Sequence, residues 1–314
     1  MTIRPTDGQV AEPPELTVVV PVFDPGPVLA RTLRSVLDQQ GVRLECVVVD
    51  DGSRERIAAL APDEFADPRV RLHRQDNRGV SVARNVGVRL GRAPLLAFLD
   101  QDDAWRPGKL AAQVAALRAV PGAAFSATGF RWIIGQTVHE APLPAVSYHD
   151  LLSGDRYVCL SSIVVRREAY AAVGGHDPVL AQQQDRAFML NLLRDGGPAA
   201  CVPDLLVDYH VHGGNASRDY RSSAAEWRAV TGIHALDARR RGDAQSLAAA
   251  RRGLAVGRAL YAAQALDAGR RSWRDTGPAG TTDVAGHLWR AARWSPDVLA
   301  RGAATKLHGL LGRR

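Results

Sequence analysis

The sequence predicts an α/β fold with a mostly parallel, Rossmann-like sheet flanked by helices, followed by an α-helical extension at the C-terminus. Three observations predict this fold. Strand-like apolar runs alternate with segments of helical periodicity in the first third of the chain. These runs are continuous rather than alternating, which is typical of strands buried on both faces of a parallel sheet. Beyond Tyr220 the sequence is rich in Ala and Arg and has no strand pattern.

The elements follow from these patterns in chain order. Strands are expected at Leu16–Phe23, Cys46–Val49, Val70–Leu72 and Leu95–Leu99. Apolar residues recur at helical spacing in Leu29–Leu37, Val82–Leu90 and Leu110–Leu117, and further helices are expected at Asp185–Arg194 and Ala248–Ala265. We therefore divide the 314 residues into an N-terminal tail (1–15), an α/β domain (16–220) and a basic helical region (221–314).

Composition excludes several classes of protein. The chain has 40 Lys and Arg against 33 Asp and Glu, and 46% of it is apolar, which excludes a wholly disordered chain. No apolar run approaches the roughly 18 residues of a membrane-spanning helix, and the first 15 residues lack a secretory pattern. A cytoplasmic protein is therefore expected. Cys46, Cys159 and Cys201 fit neither a disulfide framework nor a zinc knuckle, so we expect small buried hydrophobes.

Two acidic clusters follow predicted strands. They are Asp50-Asp51-Gly52-Ser53 and Asp100-Gln101-Asp102-Asp103. Ligands of open α/β sheets bind outside the carboxyl ends of the strands, so both clusters are expected to face a crevice. Three carboxylates within four positions repel one another unless a cation lies among them, and oxygen ligands suit Mg²⁺ or Mn²⁺. The alternatives are a simple Asp-Gly turn for the first cluster and, for the second, a solvated loop in which Asp103 caps the next helix.

The clusters and two further motifs, in this order, resemble the family 2 glycosyltransferases of the GT-A fold. The motifs are Pro21-Val22-Phe23-Asp24, Asp50-Asp51-Gly52-Ser53, Gly79-Val80-Ser81-Val82-Ala83-Arg84-Asn85-Val86-Gly87 and Asp100-Gln101-Asp102-Asp103-Ala104-Trp105-Arg106-Pro107. The resemblance covers residues 16–215. It implies an inverting, metal-dependent transfer from a nucleotide-diphosphate sugar, UDP-sugar first and dTDP-sugar next, to an acceptor hydroxyl in cell-envelope or polysaccharide synthesis.

The resemblance also implies roles for individual residues. Asp102 is expected to ligate Mn²⁺ or Mg²⁺ at the diphosphate, and Asp51 to accept a hydrogen bond from the nucleobase. The residues expected to bind the nucleotide sugar are Pro21, Val22, Phe23, Asp51, Arg84 and Asp100.

Two later motifs supply the expected base and a second metal ligand. Gly174-Gly175-His176-Asp177 and then Gln182-Gln183-Gln184-Asp185 are similar to the family's base-bearing stretch, which makes Asp185 the expected base. Gln184 stands where the family often has Glu, and the alternative is that Asp185 only caps a helix. A Tyr-x-x-His-x-x-Asn-x-Ser-like ending places His212 at the metal or the diphosphate. His176 and Asp177 are read as acceptor contacts or a loop turn, and Trp105 and Trp132 as sugar-stacking or core residues.

The basic charge belongs to the C-terminal region. Residues 221–314 hold 17 Lys and Arg against 7 Asp and Glu, whereas residues 1–220 hold 23 against 26. Solvated helix faces explain this excess, and so does attachment to the anionic inner face of the cell membrane. Nucleic-acid binding is not expected, because no recognition motif accompanies the charge. The membrane alternative rests on an apolar helical face formed by Leu299, Ala303, Leu307 and Leu310.

Two other functions stay open at this point. A catalytically silent nucleotide-sugar-binding scaffold would keep the fold without the base. A sugar nucleotidyltransferase would need a Gly-rich, Lys- or Arg-bearing loop after the first strand, which Val22-Phe23-Asp24-Pro25-Gly26 lacks.

Overall fold

The computed structural model describes residues 12–194, 197–211, 219–276 and 281–295. By their contacts, the chain divides into two compact units. The first contains residues 1–145, 158–178 and 195–211, and the second contains 146–157, 179–194 and 212–314. The second unit thus takes three segments, 146–157, 179–194 and 212–220, from the range that the sequence assigns to the α/β domain.

A mixed sheet forms the centre of the first unit. Its strands within the described residues are β1 (Leu16–Val22), β2 (Leu44–Asp50), β3 (Val70–Arg74), β4 (Leu95–Phe98), β5 (Ala104–Trp105), β6 (Phe125–Ile134), β7 (Thr137–Ala141), β8 (Ile163–Arg166) and β9 (Ala199–Val211). Their order is β3-β2-β1-β4-β8-β6-β9-β5, with β7 beside β6. β3, β2, β1 and β4 are parallel, and β8 runs antiparallel to both of its neighbours.

Within the described residues, the helices include every one that the sequence predicts there. They are α1 (Leu29–Leu37), α2 (Pro62–Ala66), α3 (Val80–Leu90), α4 (Lys109–Ala119), α5 (Tyr148–Ser153), α6 (Arg167–Ala172), α7 (Gln184–Arg194), α8 (Tyr220–Arg241), α9 (Ala244–Thr276) and α10 (Thr281–Trp294). The α/β fold and the C-terminal helical extension are therefore confirmed.

Burial along the parallel strands differs from the prediction in one place. All seven residues of β1, all seven of β2 and all four of β4 are buried. β3 has a neighbour on one side only, and its Leu72 is 43% exposed. The prediction of two buried faces was thus wrong for β3, because a short apolar run does not reveal whether its strand lies at the edge of a sheet.

Two of the three cysteines are buried, as expected. Cys46 lies in β2, and Cys46 and Cys159 both belong to the apolar core of the first unit. Cys201 in β9 is only partly buried.

Helices α5 and α7 to α10 form the second unit. Its core includes Tyr220, Tyr261, Leu266 and Ala291. Glycine permits close packing of α9, because a Cβ at Gly257 would lie 2.3 Å from Nε1 of Trp227. None of the described helices is both long and apolar enough to span a membrane. The surface helix predicted around Leu299–Leu310 lies outside the described residues.

Candidate functional site

The candidate site lies at the edge of the sheet where β1, β2 and β4 end. Parallel pairing places Val22 opposite Asp50 and Val19 opposite Phe98, so the segments that follow these strands leave the sheet together. The backbone N–H of Asp51 donates to the carbonyl of Val22 at 2.8 Å. The sheet thereby brings Pro21–Phe23 and both acidic clusters to one edge.

Gln101 joins the end of β1 to the second acidic cluster. The N–H of Phe23 donates to Oε1 of Gln101 at 2.7 Å, and Nε2 of Gln101 donates to the carbonyl of Phe23 at 3.1 Å. Pro21 and Val22 are buried within β1, whereas Phe23 is 46% exposed. Phe23 therefore presents a partly accessible ring at a fixed position beside the acidic residues. The sequence does not predict this role of Gln101, because no local pattern indicates that the residue between two aspartates bonds to the end of a distant strand.

Asp51 fixes the loop that precedes α3. Its carboxylate is buried and accepts from the backbone N–H of Arg78 at 2.9 Å and of Gly79 at 2.8 Å. Nε2 of Gln75 is a third donor, at 2.7 Å. A carboxylate has about four acceptor positions, and these three donors occupy three of them. Asp51 therefore does more than form an Asp-Gly turn, because it also fixes the loop before α3.

Arg84 and Asp100 form a nearly enclosed ion pair. Nη2 of Arg84, on α3, donates to Oδ1 of Asp100 at 2.6 Å. The Arg84 side chain is 2% exposed and that of Asp100 is 30% exposed. Gly87 permits this contact, because a Cβ there would lie 2.4 Å from Cγ1 of Val19 and would push α3 away from β1. One carboxylate oxygen of Asp100 is therefore paired with a buried guanidinium, while the side chain stays partly accessible at the edge of the sheet.

Asp103 has a structural position inside the site. Its carboxylate is 1% exposed, accepts from Oγ of Ser161 at 2.6 Å and accepts from the N–H of His210 at 3.1 Å. Burial, together with the charges of Asp100 and Asp102, raises the pKa of Asp103 well above its usual value. The alternative of a solvated loop with Asp103 as a helix cap is wrong, because α4 begins later, at Lys109, and Asp103 is buried.

Arg31 of α1 reaches the backbone of the acidic loop. Its Nη2 donates to the carbonyl of Asp102 at 2.7 Å, and its Nη1 lies 3.1 Å from Nε2 of His210. Burial and the charge of Arg31 lower the pKa of His210. Arg31 was not singled out from the sequence, since an exposed arginine in an amphipathic helix carries no distinguishing pattern. The Asp100–Asp103 loop is therefore fixed at three points. Gln101 bonds to Phe23, Asp103 bonds to Ser161, and the carbonyl of Asp102 accepts from Arg31.

The donor set at this loop fits a hard divalent cation. Asp100 and Asp102 carry partly exposed carboxylates, and carboxylate oxygens are the ligands that Mg²⁺ and Mn²⁺ prefer. Within the described residues, no group of three or more His, Cys, Asp or Glu side chains is arranged to hold a metal ion. His212, the second metal ligand that the sequence predicts, lies outside the described residues.

Other residues considered from the sequence have structural contacts. His176 is 1% exposed, and its backbone exchanges two hydrogen bonds with the side chain of Asn85, at 2.8 and 3.0 Å. Burial, followed by the charge of Arg84, lowers the pKa of His176 well below its usual value. Trp105 is buried and donates from Nε1 to the carbonyl of Ser161 at 2.8 Å, which supports its core interpretation. Trp132 is partly buried and packs against Phe130 and Tyr209.

Asp185 belongs to the second unit. It lies in the first turn of α7, as the sequence predicts for a residue that opens a helix. Its predicted role as a base stays a prediction, as do the ligand roles of the residues at the sheet edge.

Comparisons with known proteins agree with this architecture. Residues 17–150 match the family described as "Glycosyl transferase family 2". The chain is 27% identical over 237 residues to "Putative teichuronic acid biosynthesis glycosyltransferase TuaG" of Bacillus subtilis, a match that covers 72% of this chain and 92% of TuaG. It is 32% identical over 223 residues to "Succinoglycan biosynthesis protein ExoO" of Rhizobium meliloti, which covers 66% of this chain and 64% of ExoO.

A solved structure shares the fold at low sequence identity. The crystal structure of Staphylococcus aureus TarS 1-349 in complex with UDP-GlcNAc superposes with a TM-score of 0.59 and 15% identity, covering 69% of this chain and 65% of that chain. The chain thus spans nearly all of TuaG but somewhat less than two thirds of ExoO and of the TarS chain. The likeness to TarS shows the shared fold. The match over residues 17–150 and the similarity to TuaG thus identify a glycosyltransferase family 2 enzyme domain within this chain.

Proposed function

We propose that the protein transfers a single sugar from a nucleotide-diphosphate sugar to an acceptor hydroxyl of a cell-envelope or polysaccharide glycan, with inversion at the anomeric carbon. One observation carries the proposal. The Asp100–Asp103 loop, the buried Arg84 and the end of β1 are hydrogen-bonded into one rigid edge of the sheet. Preorganised carboxylates of this kind suit a divalent cation, which in turn would attract the diphosphate of a nucleotide sugar.

The donor is proposed to be a UDP-sugar first and a dTDP-sugar next. TarS has been crystallised with UDP-GlcNAc and with UDP, and TuaG and ExoO are named for teichuronic acid and succinoglycan biosynthesis. We carry the donor class and the glycan acceptor over to this chain as proposals. Pro21, Val22 and Phe23 would line the base and ribose, and the remaining acceptor position of Asp51 would take a base N–H.

The proposed chemistry is a single in-line displacement. A divalent cation, Mn²⁺ or Mg²⁺, held by Asp102 and His212 would stabilise the negative charge that grows on the departing diphosphate. Asp100, paired with Arg84, would orient the nucleotide beside that site. Asp185 would take the proton of the attacking hydroxyl, whose ordinary pKa is far above neutral. The acceptor oxygen would then bond to the anomeric carbon as its bond to the phosphate oxygen breaks.

A ligand screen followed by two variants tests the proposal. Thermal unfolding is measured with a panel of nucleotide sugars, with and without Mn²⁺, and the best donor is then used to measure UDP release. We expect stabilisation to need both nucleotide and metal, and to disappear in Asp102→Ala. Asp185→Asn should keep the stabilisation and lose turnover. Asp63→Ala, at an exposed position on α2, is the control. Stabilisation by nucleotide sugars that Asp102→Ala retains would contradict the proposed site.

The basic region is proposed to attach the enzyme to an anionic membrane surface. Arg239 and Arg240 at the end of α8 are exposed, as is Trp289 on α10, at 60%. Trp294, on the same helix, packs against Tyr220 in the second unit. The full chain should float with phosphatidylglycerol vesicles and not with phosphatidylcholine vesicles, and Arg239→Gln with Arg240→Gln should weaken this binding. Equal recovery with both lipids would contradict attachment by charge.

A further inference from the structure

The loop that leads to Asp185 is held by a carboxylate from α8. Glu226 accepts from three consecutive backbone amides, with Oε1 receiving the N–H of Ala181 at 3.0 Å. Oε2 receives the N–H groups of Gln182 and Gln183, both at 2.8 Å. Gln183 immediately precedes α7, and its carbonyl accepts the first hydrogen bond of that helix, from the N–H of Ala187 at 2.9 Å. The carboxylate thus accepts from three amides that directly precede α7, and its negative charge at this end of the helix interacts favourably with the helix dipole.

Two neighbouring side chains hold the same loop. Oγ of Ser223, one turn before Glu226 on α8, donates to Oε1 of Gln182 at 3.3 Å. Nε2 of Gln183 donates to the hydroxyl of Tyr261 on α9, also at 3.3 Å. The loop is therefore bound through both its backbone and its side chains by the helices of the basic C-terminal region.

The residue that follows Asp185 is fixed as well. The Arg186 guanidinium lies 3.9 Å from the ring centre of Trp227 and donates to the carbonyls of Leu151 and Leu152 at 3.2 and 3.0 Å. Burial lowers the pKa of Arg186 to about 10, so its charge persists at neutral pH. The backbone is thus anchored on both sides of Asp185, by Glu226 before it and by Trp227 and its neighbours after it.

We infer that Glu226 is a positioning residue, which sets the orientation of Asp185 by fixing the backbone at the start of α7. The inference rests on the proposed role of Asp185 as the base. Glu226 acts through its three amide contacts and not on the reacting atoms. Displacement of a reacting group by about 1 Å can lower a rate about 100-fold. The C-terminal helices then contribute to catalysis, in addition to any role in attachment.

Variants of Glu226 in the full chain test this inference. UDP release is measured with water as the acceptor and with the UDP-sugar that binds the wild type best. We expect Glu226→Ala to lower kcat about 10- to 100-fold while KM for the UDP-sugar stays within about twofold. Glu226→Gln should retain an intermediate kcat, because its amide oxygen still accepts from the loop. Asp237→Asn, which removes a partly exposed ion pair with Arg241 on the same helix, is the matched control and should leave both constants unchanged.

A double-mutant cycle separates positioning from a general loss of stability. If Glu226 acts through Asp185, Glu226→Ala should lower the residual rate of Asp185→Asn by less than twofold. A full additional loss in the double variant would show a merely structural role and overturn the inference. Thermal unfolding of each variant is measured in parallel, and Glu226→Gln carries the test if Glu226→Ala does not fold.

The remaining outcomes distinguish this inference from the proposed function. Wild-type kcat in both Glu226 variants, beside an impaired Asp185→Asn, would overturn the positioning role alone. Wild-type turnover in Asp185→Asn would remove the proposed base and, with it, the inference.

Discussion

Asp100 and Asp102 are separated by one residue, yet the same substitution should affect them differently. Asp100→Asn removes the charge that faces the Arg84 guanidinium, which is 2% exposed and lies 2.6 Å away. Removing one partner of a buried ion pair costs about 3–5 kcal/mol. Since Asp100 is 30% exposed and asparagine keeps one oxygen, we expect about 2–3 kcal/mol for Asp100→Asn.

Asp102→Asn should leave the free energy of unfolding within about 1 kcal/mol of the wild type. Asp102 is only partly buried, and its charge is one of those that raise the pKa of Asp103, so its removal also relieves repulsion. Both variants should nevertheless lose UDP release, because both carboxylates lie at the proposed diphosphate site.

Thermal unfolding, followed by circular dichroism without added metal, measures the difference. At about 2–4 °C per kcal/mol for a unit of this size, Asp100→Asn should unfold about 5–10 °C below the wild type. Asp102→Asn should unfold within about 3 °C of it. Equal midpoints for the two variants would refute the division between a structural Asp100 pair and a ligand-binding Asp102.

Three further predictions concern burial. Burial, then the charges of nearby arginines, lowers the pKa of His234 from 6.5 to about 4, so stability is lost as the pH falls below 6.5. Between pH 7.5 and pH 5, urea unfolding should show His234→Asn losing about 2 kcal/mol less than the wild type, and equal losses would contradict this. Gly87→Ala should destabilise by about 1–3 kcal/mol in the same assay, because its Cβ would meet Val19 at 2.4 Å, and a gain in stability would show that α3 can shift freely. Burial raises the pKa of the Cys46 thiol to about 12, so a maleimide should label Cys46 only after unfolding, and mass spectrometry of the native protein should find it unmodified.

The parallel half of the sheet was predictable because its signals are local. β1, β2 and β4 are continuous apolar runs, and the helices between them repeat apolar residues at helical spacing. The edge position of β3 was not predictable, since it depends on which strand pairs with which. β5 has only two residues and pairs with β9, about 100 residues further along the chain. No local pattern marks a strand of that kind.

The site was partly predictable for the same reason. The aspartates at the ends of β2 and β4 are recognisable because they follow strands whose ends meet at one edge of the sheet. The groups that hold them come from distant segments: Arg31 precedes Asp102 by 71 residues, and His210 follows Asp103 by 107. Glu226 lies 43 residues after Gln183, and its three contacts are to backbone amides, which leave no trace in the sequence.

The Asp100–Asp103 loop is proposed to hold a divalent cation at the diphosphate of a nucleotide sugar. The direct test is the initial rate of UDP release from the best donor, measured with excess EDTA and after restoration of Mn²⁺ or Mg²⁺. We expect the wild type to lose activity with EDTA and to recover it with metal, whereas Asp102→Ala stays inactive in both conditions. Unchanged turnover under chelation, or UDP release by Asp102→Ala at the wild-type rate, would show that the loop does not hold such a cation.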